Sequence, residues 1–196
     1  MRVAVITLAS GSPRRRDLLA QLGYRLRIQP ADIDETPKPN EDALVYAERM
    51  AREKASAFQD PQALIIAADT VVHRDGVIFH KPKNVLDAQR ILGELSGQSH
   101  QVSTGTCVRM GDRILARVTT TQVRFRVLTE QEIHGYVATG EPMDKAGAYG
   151  IQGIGGFMVH SIQGSYSNVV GLPLCQVLAD LAELGAPAPF HTLESS

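Results

Sequence analysis

The segment 10–16, with the sequence SGSPRRR, has the residue types of a phosphate-binding turn. It stands between a short apolar run and a predicted helix, and a helix N-terminus offers free backbone N–H groups and a partial positive charge to an anion. Arg14 and Arg15 could add paired hydrogen bonds to phosphate oxygens. The same residues also suit an ordinary capped helix whose arginines are solvated. A Walker loop is excluded because the Gly-Lys-Ser/Thr ending is absent.

Acidic residues at two places could do chemistry. Asp69 follows the apolar run 64–68, and we expect it at the carboxyl end of a buried strand, where open α/β sheets place their ligand sites. A carboxylate there can act as a general base or bind a divalent cation, although an aspartate that merely caps a turn has the same pattern. Asp34 and Glu35, in a proline-punctuated acidic loop, are further candidate oxygen ligands for Mg²⁺ or Mn²⁺, or else solvated loop residues.

Two lysines lie in or next to predicted secondary-structure elements. Lys54 is on a predicted amphipathic helix, 41–58, and Lys81 precedes a proline just after a predicted hairpin. Taken singly, each is typical of a surface lysine. Together with Arg14 and Arg15 they would suit a polyanionic ligand such as a triphosphate, because its charges need several cationic partners.

Glycine is concentrated in the segment 147–156, which holds five of the chain's 17 glycines. Small residues there would let the backbone close on a flat ligand. The side-chain amide of Gln152 offers both a donor and an acceptor to the edge of a nucleobase. A long turn is the alternative interpretation, although a plain turn needs fewer glycines.

Composition and charge exclude several classes of protein. The 20 Lys+Arg and 21 Asp+Glu leave a net charge of −1, which rules out a broad basic surface for nucleic acid or membranes. The two cysteines and six histidines show neither a disulfide framework nor zinc-ligand spacing. The first apolar run is too short for a signal peptide or a membrane span, so we expect a cytoplasmic protein.

The elements that must position these residues indicate a mixed α/β or α+β fold. Strands are expected at 3–8, 24–29, 64–68 and 77–79, on both sides of 111–112, and at 157–163. Helices are expected at 13–22, 41–58, 86–96, 130–139 (opened by a capping box of Thr129 and Glu132) and 173–184. This order predicts an elongated mixed sheet flanked by helices, in a single domain over 1–185 with a frayed tail over 186–196.

Taken together, several motifs resemble those of the Maf family. The matching segments are LASGSPRR at 8–15, REKA at 52–55, ADTVV at 68–72, KP at 81–82, LSG at 95–97, DKAGAYGIQG at 144–153, GSY at 164–166 and NVVGLP at 168–173. They follow the family's order over nearly the whole chain, so the resemblance is specific. One difference is His80, which stands before Lys81 where relatives often have Gly or Glu.

The resemblance implies a cytoplasmic nucleoside triphosphate pyrophosphatase that cuts between the α and β phosphates with a divalent cation, Mg²⁺ or Mn²⁺. It also implies a Maf/ITPase-like fold with two lobes and a cleft, and a homodimer. From the balanced charge we expect neither nucleic acid nor membrane as a partner. The form of segment 144–153 resembles the branch that acts on dTTP and UTP, including modified uridine triphosphates, and differs from the branch preferring 7-methyl-GTP.

By position in the family motifs, the resemblance also implies residue roles. The catalytic set is Asp69, as proton acceptor, with Lys54 and Lys81, which match phosphate-binding positions. The substrate-binding set is Ser10 and Arg15 for phosphate, and Arg14, Thr70 and Gln152 for specificity. We expect the metal on Glu35 and Asp69.

These assignments lead to one mechanism and leave two other classes open. Asp69 would orient or deprotonate the water that attacks the α-phosphorus, while the cations neutralise charge on the leaving pyrophosphate. The first alternative is a nucleotide-binding regulator of cell division and septum formation without significant hydrolysis. The second is a nucleic-acid binder, which the balanced charge and few aromatic residues disfavour.

Overall fold

The computed structural model describes residues 5–190, which form seven strands, six helices and three short 3₁₀ segments. The strands are β1 (Val5–Leu8), β2 (Arg25–Ile28), β3 (Leu64–Arg74), β4 (Val77–Phe79), β5 (Ser99–Met110), β6 (Arg113–Phe125) and β7 (Val159–Gln163). The helices are α1 (Pro13–Ala20), α2 (Ala43–Ser56), α3 (Val85–Leu95), α4 (Glu130–Ala138), α5 (Tyr166–Val170) and α6 (Leu174–Glu183). The 3₁₀ segments are Glu141–Asp144, Ala146–Ala148 and Ile154–Met158. Each helix in this part of the chain is too short or too polar to span a bilayer.

The strands form a mixed sheet in the order β2-β1-β3-β5-β6-β7, with β4 paired to β3. Strand β1 is parallel to both β2 and β3, whereas the β3–β4 and β6–β7 pairs are antiparallel. Asp75 and Gly76 make the β3–β4 hairpin turn with φ angles of 51° and 79°, the positive values that a twisted two-residue hairpin needs. The predicted mixed α/β fold with a sheet flanked by helices is therefore confirmed.

The first of two compact units comprises the described residues up to Asp69, Thr104–Thr119 and the chain from Gly171 onward. Its core includes a cluster of small and branched side chains from α2, the end of β1, β3 and β5. The members of this cluster are Ala9, Ala51, Ala55, Ile65, Ala67 and Cys107. Alanine on the inner face of α2 lets that helix lie close to the sheet.

Helix α2 is in backbone contact with strand β5 at Gly105. A Cβ atom at Gly105 would stand 2.1 Å from the carbonyl oxygen of Ala47 and 2.7 Å from the backbone nitrogen of Glu48. No side chain fits at that separation, so the glycine sets the distance between helix and sheet. Lys54 is seven residues beyond Ala47, about two helical turns, and its height above the sheet depends on the same contact.

The second unit comprises Thr70–Ser103 and Thr120–Val170. Helices α3 and α4 bury their apolar faces in its core, around a cluster of rings formed by His100, Phe125 and Tyr149. The Nε2 atom of His100 lies 2.8 Å from the Tyr149 hydroxyl oxygen. Burial, with smaller effects of Arg74 and His73, lowers the pKa of His100 to about 3. His100 is therefore a neutral core residue at physiological pH.

Most predicted elements are confirmed, and the differences have local causes. The expectation that the strand ends at Asp69 is wrong: β3 continues to Arg74, because Val71 and Val72 are buried and Val72 pairs with Phe79 of β4. The last strand begins two residues later than predicted, since Ile154–Met158 forms a 3₁₀ segment. The short helix α5 was not predicted.

Parts of both predicted terminal segments lie outside the described residues: 3–4 of the first strand and 191–196 of the tail. The expectation of fraying from 186 is wrong for 186–190. There the Tyr24 hydroxyl donates to the carbonyl of Pro187 at 3.0 Å, and the N–H of Phe190 donates to the carbonyl of Leu22 at 2.9 Å. These bonds hold the start of the tail against residues 22–24 of the same unit.

Candidate active site

Hydrogen bonds among its own residues close the turn between β1 and α1. The buried Ser10 hydroxyl accepts from a backbone N–H two residues on, at 3.2 Å, and from Nη1 of Arg15 at 2.9 Å. The Nε atom of Arg15 donates to the carbonyl of Gly171 at 2.8 Å. Burial lowers the pKa of Arg15, and the nearby charges of Asp69 and Glu35 oppose that shift. Arg15 therefore shapes the turn as well as bringing a positive charge near two carboxylates.

Lys54 joins two carboxylates from different parts of the first unit. Its Nζ lies 2.7 Å from Oδ1 of Asp69 and 2.7 Å from Oε1 of Glu35. The side chains of Lys54 and Asp69 are 9% and 14% exposed, whereas that of Glu35 is 52% exposed. A lysine is rarely this buried unless its charge is paired, and here two carboxylates pair it. We call these three residues the Lys54 cluster; it is closed at the lysine and open to solvent at the glutamate.

Helix α2 also holds the acidic loop that carries Glu35. The Tyr46 hydroxyl donates to the backbone carbonyl of Glu35 at 2.9 Å, and Arg49 donates to the carbonyl of Thr36 at 3.2 Å and pairs with Glu41 at 2.6 Å. Burial, followed by the charges of nearby carboxylates, raises the pKa of Tyr46 to about 12. Sequence reasoning missed Tyr46. The available signal was a tyrosine on an alanine-lined helix face, because a buried tyrosine hydroxyl usually needs a partner.

Two carboxylates of the Lys54 cluster fit a divalent cation. Among residues 5–190 no group of three or more His, Cys, Asp and Glu side chains converges on one point. Mg²⁺, however, is commonly bound by one or two carboxylates together with substrate phosphates and waters. Glu35 and Asp69 already share one cationic group, and both supply the hard oxygen atoms that such an ion prefers.

Asp34 has a different role from its neighbour. Its carboxylate accepts the backbone N–H of Thr36 at 2.9 Å, and hydrogen bonding to Thr36 lowers the pKa of Asp34. A short aspartate bond of this kind closes a turn of the loop. The structure thus separates the two predicted acidic candidates: Asp34 shapes the loop, and Glu35 reaches Lys54.

In the second unit, the glycine-dense segment is folded around the carboxylate of Glu141. One of its oxygens accepts from the Tyr136 hydroxyl and the N–H of Gly155, each at 3.0 Å, and the other accepts from the N–H of Ile154 at 2.9 Å. A Cβ atom at Gly153 would stand 2.6 Å from both carboxylate oxygens, and one at Gly155 would stand 2.6 Å from the Tyr136 hydroxyl. These glycines are needed because the backbone touches polar side-chain atoms.

The turn before Lys81 is bonded to the beginning of the same segment. The N–H of Gly147 donates to the carbonyl of His80 at 3.3 Å. Gly147 has a φ of 69°, and a Cβ atom there would stand 2.8 Å from the side chain of Val72. Because His80 makes this contact through its backbone, the unusual side chain at that position is compatible with the turn.

The structure places the predicted site residues in two groups, one in each unit. In the first unit, Lys54 contacts both Asp69 and Glu35. Ser10 is bonded to Arg15, and Arg14 is half-buried. In the second unit, Thr70 is half-buried in β3, and Lys81 and Gln152 are exposed. Sequence reasoning missed Glu141, although a glutamate three residues before the DKAGAYGIQG segment was visible.

Comparison with known proteins identifies the family. Residues 5–184 match the family model described as Maf-like protein. The chain belongs to the Maf family. The match runs from β1 to the end of α6, so the Maf domain includes both compact units.

Curated Maf relatives cover nearly the whole chain. A Chromobacterium violaceum protein named dTTP/UTP pyrophosphatase is 50% identical over 191 residues, which are 94% of this chain and 96% of the relative. A Pasteurella multocida protein of the same name is 47% identical over 189 residues, 91% of this chain and 94% of the relative. Among solved structures, the Staphylococcus aureus Ham1 protein aligns over 62% of this chain and 71% of that chain, with a TM-score of 0.44 and 14% identity.

Proposed function

We propose that this Maf-family chain hydrolyses dTTP and UTP, and modified uridine triphosphates, to the nucleoside monophosphate and pyrophosphate. The observation that carries the proposal is the Lys54 cluster, in which one ammonium lies 2.7 Å from both Asp69 and Glu35. It joins a candidate base, a candidate phosphate-binding cation and a candidate metal ligand. Relatives named dTTP/UTP pyrophosphatase, at 50% and 47% identity, support the substrate class.

Asp69 is the proposed general base. Lys54 donates to Oδ1 of Asp69, and we assign the second carboxylate oxygen to the attacking water. Asp69 takes a proton from that water, whose oxygen bonds to the α-phosphorus as the bond from the α-phosphorus to the α–β bridging oxygen breaks. Pyrophosphate leaves with the electrons of that bond. The Asp69 side chain is only 14% exposed and is bonded to Lys54. Its carboxylate is therefore held in one place before substrate arrives.

The proposed phosphate contacts are cationic side chains, and two of them are held in place by neighbouring residues. Arg15 is held by Ser10 and Gly171, so it offers a fixed charge, while Lys54 is held by two carboxylates. Negative charge grows on the leaving pyrophosphate, and positive charge already in position stabilises it without a reorganisation cost. Following the family motifs, we assign phosphate binding to Ser10, Arg15, Lys54 and Lys81, and specificity to Arg14, Thr70 and Gln152.

Glu35 and Asp69 are the residues that would hold a divalent cation, Mg²⁺ or Mn²⁺. When bound, such an ion supplies charge neutralisation on the phosphate oxygens. Glu35 is suited to this role because its side chain is half-exposed while its backbone is held by Tyr46.

The remaining assignments follow the family. We infer that residues 1–185 act as one catalytic domain and 186–196 as a tail, which the family match over 5–184 supports. We expect a cytoplasmic homodimer acting on a small-molecule nucleotide. A nucleotide-binding regulator without hydrolysis is the alternative that the experiment below distinguishes.

The test is a product analysis of wild type and Asp69→Asn with dTTP, UTP and other triphosphates in the presence of Mg²⁺. Wild type should release pyrophosphate and monophosphate, and Asp69→Asn should lose about 10²–10⁴-fold in kcat, the range for removing a general base. Asp112→Asn, which changes an exposed aspartate in the β5–β6 turn, is the matched control and should keep wild-type kcat. Near-normal turnover by Asp69→Asn, or release of phosphate and diphosphate, would contradict the mechanism. Nucleotide binding without any product would favour the regulator.

A further inference from the structure

Glu141 and its neighbour Lys145 contact the glycine-dense segment on both sides of Gln152. After Gln152, the carboxylate of Glu141 binds the N–H groups of Ile154 and Gly155. Before it, Lys145 donates to the backbone carbonyl of Glu141 at 2.6 Å, and the lysine stem lies so close to Gly150 that a Cβ there would be 2.8 Å from its Cε. The exposed Gln152 therefore lies between backbone that Glu141 binds directly and Gly150, which packs against the Lys145 stem.

The charge of Glu141 is part of this arrangement. Burial alone would raise the pKa of Glu141, but the hydrogen bonds from Gly155, Ile154 and Tyr136 outweigh burial and lower it. The residue is therefore a carboxylate at neutral pH, with acceptor capacity for all three donors. Hydrogen bonds to an ionised acceptor are roughly twice as strong as neutral ones, so they fix the backbone more firmly than an amide would.

We propose that Glu141 is the positioning residue that holds Gln152 for nucleobase recognition. The inference rests on the proposed function, in which Gln152 reads the base. An amide gains affinity only for a base whose edge it pairs with, and that gain depends on placement within a few tenths of an ångström. Loosening the segment should therefore weaken the paired base selectively and leave phosphate binding unchanged.

The variant Glu141→Gln tests this with little change in volume. A glutamine offers one acceptor oxygen and one NH₂ donor where three donors now converge, so at least one N–H or O–H loses its partner. Tyr136→Phe is a second variant: it removes the hydroxyl that donates to Glu141 and that also bonds the backbone of Gly150, and it leaves the contacts of Glu141 with Ile154 and Gly155. Glu94→Gln is the control: it removes an equal charge from α3, where the side chain is 42% exposed and pairs only with Arg90 among the ion pairs described for residues 5–190.

The measurement is the dissociation constant of dTMP and of inorganic pyrophosphate by titration calorimetry, together with kcat and KM for dTTP. We expect Glu141→Gln to weaken dTMP binding about tenfold while pyrophosphate binding changes by less than about twofold, with Tyr136→Phe intermediate and Glu94→Gln unchanged. In turnover, KM for dTTP should rise more than kcat falls.

Two results would overturn the proposal. One is an equal loss of affinity for dTMP and for pyrophosphate, which would make Glu141 a purely structural residue. The other is unchanged dTMP affinity in a folded Glu141→Gln protein. A selective loss of dTMP affinity in Glu141→Gln, combined with a wild type that releases no pyrophosphate from dTTP, would contradict the proposed function and leave the role of Glu141 supported. If Glu141→Gln does not fold, the same comparison of dTMP affinity with pyrophosphate affinity in Tyr136→Phe decides between these outcomes.

Discussion

Replacing Gly105 by alanine should separate helix α2 from the sheet and disturb the Lys54 cluster at a distance. The added Cβ would meet the carbonyl oxygen of Ala47 at 2.1 Å, whereas ordinary van der Waals contact begins at 3.4 Å, so the two backbones must part by 1.3 Å. The obstacle is backbone, and no side-chain rotation can relieve it. Overpacking of this kind costs typically about 1–3 kcal/mol, and we expect the upper end.

The expected consequences are measurable in two ways. A loss of about 3 kcal/mol corresponds to a fall in Tm of roughly 6–12 °C for a chain of this length. Lys54 shares helix α2 with Ala47, and a shift of its Nζ by about 1 Å relative to Asp69 should cost about 10²-fold in kcat. Urea denaturation and steady-state turnover of dTTP measure the two effects.

Gly93→Ala is the matched control for this prediction. Gly93 is exposed on helix α3, and a Cβ atom there would have no neighbour within 4 Å. Alanine should therefore stabilise the protein by about 0.5–1 kcal/mol, the usual gain in a helix interior. A Gly105→Ala protein with wild-type denaturation midpoint and kcat would refute the claim that this contact sets the height of α2.

Two further predictions concern single side chains. Tyr46→Phe removes the hydroxyl that holds the Glu35 backbone, and it should raise the Mg²⁺ concentration for half-maximal turnover several-fold. Tyr24→Phe is its control, because it loses a similar bond to the carbonyl of Pro187. Both variants should lose about 1 kcal/mol of stability, but Tyr24→Phe should leave the Mg²⁺ requirement unchanged. Burial lowers the pKa of His100 from 6.5 to about 3. The stability that depends on neutral His100 is therefore fully present above pH 6.5 and is lost as the pH falls toward 3. The loss is at most about 1.4 kcal/mol for each pH unit. Urea denaturation of wild type and His100→Gln at pH 7.5, 5.5 and 4.5 should show a weaker pH dependence in the variant; equal slopes would contradict this assignment.

Local patterns predicted the local structure well. The capping box is an example: the N–H of Thr129 donates to Glu132 at 2.8 Å, and the N–H of Glu132 donates back to Thr129 at 3.3 Å. Residues three apart determine such a cap, so the sequence suffices to find it. The strand after Asp69 was harder to predict, because pairing with β4 extends β3 beyond its apolar run.

Contacts between elements distant in the chain could not be predicted in this way. Lys54 and Asp69 were both candidates, yet their 2.7 Å contact depends on how α2 is rotated and how closely it lies on the sheet. That closeness depends on Gly105, whose sequence context shows nothing unusual. Glu141 was missed for the same reason, because its partners are backbone N–H groups thirteen and fourteen residues later.

The bond between Arg15 and Gly171 has a consequence for how the chain acquires its phosphate-binding turn during synthesis. It spans 156 residues, and the bond from Tyr24 to Pro187 spans 163. Arg15 is therefore synthesised 156 residues before Gly171, whose carbonyl accepts from it. Contacts of such long sequence separation form late and slow folding. A polypeptide that stops short of residue 171 would contain the whole motif and lack the bond that fixes Arg15 to Gly171.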